Sequence, residues 1–168
     1  MWQPTEEQIN NSQMMDYMQL VNQKFGLSLK KYSQLYDWSI EKAEDFWGSF
    51  WEYSQIIHHS PYSQVVDDLG KMPGAEWFDG ATLNFAENLL RYRDDKIAIL
   101  FQGEDGTQSS LTYKELHDQV SLLAHSMREM GIVKNDRVAG FMPNIPETII
   151  TMLATASIGA IWSSCSPD

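Results

Sequence analysis

Two short apolar runs, VAGFM over residues 138–142 and AIWSSC over 160–165, flank a stretch in which Ile149, Ile150, Met152, Leu153, Ala154 and Ala156 leave almost no polar face. Runs that short suit strands, and the stretch between them suits a helix buried on most sides. Asn144 followed by Glu147 has the spacing of an N-cap and its capping-box partner, and Gly159 offers a left-handed stop. The segment therefore predicts strand, helix, strand, with the helix starting near Ile145 and the strands parallel neighbours. Parallel strands are covered on both faces, so more sheet is required than these two. A membrane span over residues 145–162 is the competing pattern, but Gly159 and the interleaved Thr, Ser and Ala residues interrupt the apolar run of about 20 residues that a span needs.

Upstream, residues 97–102 and 108–112 flank GEDGT, which has the Gly and Asp chemistry of a β-hairpin. Thr112 and Glu115 then form a capping box, with Leu111 and Leu116 placed as a hydrophobic staple. Leu116, Val120, Leu123, Met127 and Met130 follow on one helical face as far as Gly131. Nearer the start, Thr5 before Glu6 and Glu7 opens a helix along which Met14, Met18, Val21 and Phe25 keep helical spacing until Gly26. Residues 33–38 predict a short turn or helix, and Ser39 an N-cap for the next element. In that element Ala43, Phe46, Trp47, Phe50 and Trp51 form an aromatic stripe that must bury against something large.

From Ile56 to Ala81 the periodicity is weak and Pro61, Gly70, Pro73, Gly74 and Gly80 punctuate it. Connecting structure is expected there, with Trp77 and Phe78 plugging into the body of the protein. Asn84 and Glu87 repeat the capping-box spacing before a helix through Leu89 and Leu90. The charge-rich RYRDDK at 91–96 then separates a helical half, residues 1–92, from an α/β half, residues 93–168.

Composition is globular, with 43% hydrophobic residues in 168. Twenty-three acids against 12 bases give a formal net charge of -11, which lacks the basic footprint that nucleic acid or an anionic membrane surface requires. A single cysteine, Cys165, excludes an internal disulfide framework and fits a reducing compartment. The start, MWQPTEEQ, shows neither the basic nor the apolar region of a secretory signal, so cytoplasm is the expected location.

Isolated candidates for chemistry do not assemble a site in the sequence. His58 and His59 are adjacent and so point differently, with no Cys or acid at metal-ligand spacing. His117 and His125 lie two turns apart on one helix, with His117 expected on the surface. Asp67 with Asp68, and Asp94 with Asp95, sit in turn-like stretches where solvated carboxylates are expected. Cys165 lies among Ser163, Ser164 and Ser166 without a GxSxG elbow, and a buried thiol in a strand is expected. Neither GxxxxGK[ST] nor GxGxxG occurs, nor any Ser/Thr/Gly-rich run ending in Lys, so no catalytic residue and no metal ligand is assigned within the chain. What remains is the loop after the last strand, because ligands of open α/β sheets sit beyond strand carboxyl ends.

The stretch DRVAGFMPNIPETIITMLATASIGAIWSSCSPD resembles the first large-domain βαβ unit of the acyl-adenylate-forming ligases. Its SSCSPD ending, with PGAEWFDGATLNFAEN upstream, resembles their acetoacetate:CoA ligase branch. The resemblance runs from about Trp2 to Asp168 and covers only the opening portion of such an enzyme. It implies an α/β fold, truncated, in which a helical N-terminal segment precedes a β-hairpin and the first βαβ unit of the AMP-binding large domain. It also implies a two-step reaction: acid plus ATP gives acyl-adenylate and pyrophosphate, then CoA gives thioester and AMP. Acetoacetate, ATP and CoA would be the full-length enzyme's partners, Mg2+ its metal, and the rest of its own large domain the structural partner of these residues.

The family's phosphate loop, magnesium and adenine motif, ribose Asp and mobile-domain Lys would follow Asp168. Residues 1–168 alone are therefore expected to be inactive and to hold none of these cofactors. In the related acetyl-CoA synthetases the loop after this strand contacts the CoA nucleotide, which implies Ser166, Pro167 and Asp168 at the rim of that site. Two other readings stay open: a self-contained protein-interaction module using the aromatic helix face, and a ligase of the same superfamily for another short acid.

Overall fold

The computed structural model describes residues 2–167 and divides into two compact units between Thr82 and Leu83. The first unit holds α1 (Glu6–Asn10), α2 (Gln13–Phe25), α3 (Tyr32–Glu41), α4 (Ala43–Tyr53), β1 (Gln64–Val66) and β2 (Trp77–Asp79). Thr5 caps α1 as its sequence predicts, its hydroxyl accepting from the Gln8 N–H while the Gln8 side chain accepts from the Thr5 N–H. The single helix expected from Thr5 to Phe25 is two helices, because Ser12 offers its hydroxyl to the Met15 N–H and starts a second one. Gly26, at φ +66°, ends α2. Met18 and Val21 are buried as the spacing predicts and Met14 is exposed, while Tyr17, outside the predicted stripe, joins the core with Leu35 and Trp38 of α3.

Ser39 does not cap α4. Its hydroxyl donates to the Tyr36 carbonyl within α3, which runs on to Glu41, and α4 begins after Lys42 with no side-chain cap. Along α4 only Ser49 is fully buried, so the aromatic stripe is half-exposed rather than enclosed. Trp47 and Trp77, each 41% exposed, meet edge-on at 6.0 Å, and Trp51 stacks on Phe78 at 4.6 Å. The stretch after Ile56 also holds more than connecting structure: β1 and β2 pair antiparallel, with Gln64 opposite Asp79 and Val66 opposite Trp77. These strands have three residues each, too short for a period to show.

The loop between β1 and β2 is held by Asp67, whose carboxylate accepts from the Glu76 N–H at 2.8 Å and the Asp68 N–H at 2.7 Å and pairs with Lys71. The Lys71 hydrogen bond, then the Glu76 amide, lower its pKa to about 2. A carboxylate with a depressed folded-state pKa adds stability above its unfolded value, near 3.9, and loses that contribution as pH falls through the folded value. Asp67→Asn is accordingly expected to lower the urea midpoint at pH 7, with the gap to the parent closing between about pH 4 and pH 2. A gap that stays constant over that window would assign the effect to something other than the charge.

The second unit holds α5 (Phe85–Leu89), β3 (Ile97–Gln102), β4 (Gln108–Thr112), α6 (Tyr113–Glu129), β5 (Arg137–Phe141), α7 (Pro146–Ser157) and β6 (Ile161–Cys165). β3 and β4 form the expected antiparallel hairpin, closed where Gly103 donates to the Thr107 carbonyl and Gly106 turns at φ +85°. Thr112 and Glu115 complete the expected capping box of α6. Leu116, Val120, Ala124 and Met127 face the core, but Met130 lies at the C-cap and is exposed.

α6 and α7 end alike. Ile132 donates to the Met127 carbonyl and Gly131 to Arg128, just as Ala160 donates to Thr155 and Gly159 to Ala156. Both are Schellman motifs, and the left-handed residue in each is the glycine predicted to stop the helix. Asn84 accepts from the Glu87 N–H to cap α5, and its amide donates to the carbonyls of Ala156 and Ser157, tying the start of α5 to the end of α7. The core gathers Ala86, Leu90, the α6 face, and Ile150, Leu153 and Ala154 of α7. β5 and β6 pair parallel across α7, as the alternation of short apolar runs and helix predicts.

Candidate functional site

The carboxyl ends of β5 and β6 lie side by side, because the parallel register runs from Arg137 opposite Ile161 to Phe141 opposite Cys165, and the Met142 N–H then donates to the Cys165 carbonyl at 3.2 Å. Two segments leave the sheet together there: residues 142–145, which lead into α7, and residues 166–167. In an open α/β sheet this end is where ligands are taken. Ser166 and Pro167 sit there, exposed, just past β6. The third expected rim residue, Asp168, lies outside the described residues.

Asn144 is not the N-cap of α7. Ile145 occupies that position without a side-chain cap, and Pro146 is the first helical residue. Proline suits that place because it has no N–H to satisfy and its φ is already helical. Thr148 secures the turn instead, its hydroxyl donating to the Pro143 carbonyl at 2.8 Å and its N–H to Ile145 at 3.0 Å. A groove of about 290 Å³ runs beside this turn, between Ile99 and Phe101 of β3 and Asn144, Ile145, Pro146 and Ile149.

The two faces of the parallel pair differ. Val138 packs against the core and Trp162 is partly buried, whereas Arg137, Ala139, Phe141, Ile161, Ser163 and Cys165 are all exposed, Phe141 by 72% and Ile161 by 50%. Cys165 is therefore an exposed thiol and not the buried one expected, since its side chain falls on the uncovered face. On the half-covered face the indole of Trp162 lies across Gly140. The sequence signal for that contact is a glycine inside a strand pattern, which marks close approach of another group to the backbone.

His58, His59 and His125 are exposed; His117 is half-buried, contrary to expectation, with Nδ1 3.4 Å from the Asp118 carboxylate. Hydrogen bonds from Thr107 hold Asp105 below the usual carboxylate range, and bonds from Thr112 do the same for Glu115. Both belong to a turn and a helix cap. Among the described residues no three His, Cys, Asp or Glu side chains are grouped to hold a metal ion, and no helix is long and apolar enough to cross a membrane.

Residues 85–168, half of the chain, match the family model for AMP-binding enzymes, and residues 32–89 match that for the acetyl-coenzyme A synthetase N-terminus. The chain is similar over its whole length, at 45% identity, to the acetoacetyl-coenzyme A synthetase of Rhizobium meliloti (strain 1021), of which it covers 26%. It is 42% identical over 94% of its length to the malonamoyl-CoA synthetase vrtB of Penicillium aethiopicum, covering 23% of that protein. The solved structure of acetoacetyl-CoA synthetase from Streptomyces lividans superposes with a TM-score of 0.90 at 37% identity, over 99% of this chain and 26% of that one. The chain thus spans about a quarter of the length of the relatives it matches.

Proposed function

We propose, from the premise that the chain belongs to the AMP-binding enzyme family, that these residues are the N-terminal quarter of an ATP-dependent acetoacetate:CoA ligase. In its first step an acetoacetate oxygen attacks the α-phosphorus of ATP and pyrophosphate leaves. In its second the CoA sulfur attacks the acyl carbon of the adenylate and AMP leaves, giving the thioester. A helical segment over residues 1–92 precedes the start of the AMP-binding large domain over residues 93–168, although compact packing groups Leu83 onward with the latter.

The observation that carries this reading is the end-to-end similarity to acetoacetyl-CoA synthetases, together with a parallel strand pair that has one face uncovered among the described residues. Parallel pairs are stable when covered on both sides, and the rest of the large domain is the partner of that face. Ser166, Pro167 and Asp168 supply the rim of the CoA site. Phosphate handling and any Mg2+ belong to residues other than those described. The acidic balance and the single cysteine favour a cytoplasmic enzyme.

A second acid is favoured by one observation: the malonamoyl-CoA synthetase is nearly as similar as the acetoacetyl-CoA synthetases. Both of those activities join CoA to a short acid with a carbonyl two carbons from the carboxylate, so the similarity of these residues fits either acid. The reading frame downstream of the Asp168 codon tests the proposal. It is expected to encode a Ser/Thr/Gly-rich loop ending in Lys with an acidic magnesium motif behind it, and a stop codon there would overturn the ligase reading.

A further inference from the structure

We infer that Trp162 and Gly140 form a positioning pair that seats the carboxyl end of β6 against β5, and that this seating sets how tightly the intact enzyme holds CoA. The identity of the ligand rests on the ligase reading, whereas the pair itself rests on geometry alone. Gly140 does not have a left-handed φ, so the backbone does not demand glycine there. Space does. A β-carbon added at Gly140 would lie 2.5 Å from Trp162 Cη2, 3.0 Å from its Cζ2 and 3.2 Å from Met142 Sδ. The clash is with the far edge of a two-ring plate, so the whole indole has to turn away to make room.

The pair also stands in the right place. Trp162 is opposite Val138 in the register, so its indole reaches forward along β5 to Gly140, toward the end where both segments leave the sheet. Beyond Trp162, β6 offers only Ser163, Ser164 and Cys165, all small and exposed, and the exit continues into Ser166 and Pro167. The ladder sets the distance between the two strands, whereas Trp162 is the one bulky side chain of β6 on this face, and its indole packs on the bare backbone at Gly140 as a strand glycine permits.

The test uses the intact enzyme and separates its two half-reactions. Gly140→Ala, which pushes the plate away, and Trp162→Leu, which removes it, are each expected to raise KM for CoA about tenfold, a loss of about 1.4 kcal/mol of binding. Acetoacetate-dependent pyrophosphate exchange, which does not use CoA, is expected to stay within about twofold of the parent. Because the two residues act through one contact, the double variant is expected to show less than the product of the single effects.

Parallel loss of both half-reactions, or an unchanged KM for CoA in both single variants, would overturn the positioning role and leave the ligase reading standing. Absence of exchange in the unmodified enzyme would instead overturn the ligase reading and the CoA assignment with it. If Gly140→Ala does not fold, Trp162→Leu, which introduces no clash, gives the same KM comparison.

Discussion

Tyr17→Ala is expected to cost the first unit about 3–5 kcal/mol, the range for truncating a buried aromatic side chain. Tyr17 is the hub of that unit: its ring meets Phe46 at 5.9 Å, Phe50 at 5.6 Å and Tyr53 at 5.1 Å. Its hydroxyl lies 2.9 Å from Ser49 Oγ and 3.1 Å from the Phe46 carbonyl. Burial raises the phenol's pKa while the Ser49 hydrogen bond opposes the rise, so the group stays neutral at physiological pH and is retained for packing and hydrogen bonding. Small domains are stable by only about 5–15 kcal/mol, so this one truncation removes a large share of the margin.

Tyr17→Phe separates the two contributions. Ser49 still donates to the Phe46 carbonyl at 3.0 Å when the phenol is gone, so no buried polar atom is stranded and the loss is expected to be about 1 kcal/mol. Urea unfolding of both variants, followed by circular dichroism, checks the pair. Equal losses would mean that the hydroxyl, and not the ring, holds the unit together.

In the second unit the corresponding position is Leu153, which lies on the buried side of α7 beside Ile150 and Ala154. Leu153→Ala is expected to cost about 2–5 kcal/mol, the spread reflecting how far the cavity can collapse. Collapse is limited here because Ala154, with no side-chain atoms beyond its β-carbon, is already fully enclosed between packed neighbours. The control is Leu122 on α6, 69% exposed, whose replacement by alanine is expected to fall within about 0.5 kcal/mol. Similar losses at both positions in urea unfolding would mean that burial in this core is not what Leu153 contributes.

Long, strongly periodic segments with explicit stop signals are legible in the amino-acid sequence itself. α6 shows why: its capping box, its apolar face and its terminal glycine each specify the same element, and the three agree. Where two local signals compete, the sequence misleads. Ser12 and Ser39 are both plausible caps, yet only Ser12 starts a helix, because the residues before Ser39 already form α3 and its hydroxyl turns back to Tyr36. Asn144 loses the cap of α7 to its neighbour for a related reason, since Pro146 fits the first helical position and fixes the register.

Burial is harder to read from sequence than secondary structure. Cys165 stands in an apolar-looking strand, but which side of a strand is covered depends on what packs there, and within the described residues nothing covers that side. The aromatic stripe of α4 is real in its spacing and only half-buried for the same reason. As for the candidate site, the expected position beyond β6 follows from strand order and parallel pairing, whereas its assignment to CoA comes from family resemblance, because Ser166, Pro167 and Asp168 carry no chemistry that names a ligand. Gly140 and Trp162 are visible in the sequence as residues but not as a contact, since a pair 22 positions apart acquires meaning only through the register.

The ligase reading is tested most directly by assaying acetoacetyl-CoA and AMP formation from ATP, acetoacetate and CoA, side by side for the intact enzyme and for purified residues 1–168. The intact enzyme is expected to form both products, and residues 1–168 alone neither, because the chain contains no phosphate loop. Thioester formed by residues 1–168 alone, or none formed by the intact enzyme, would contradict it.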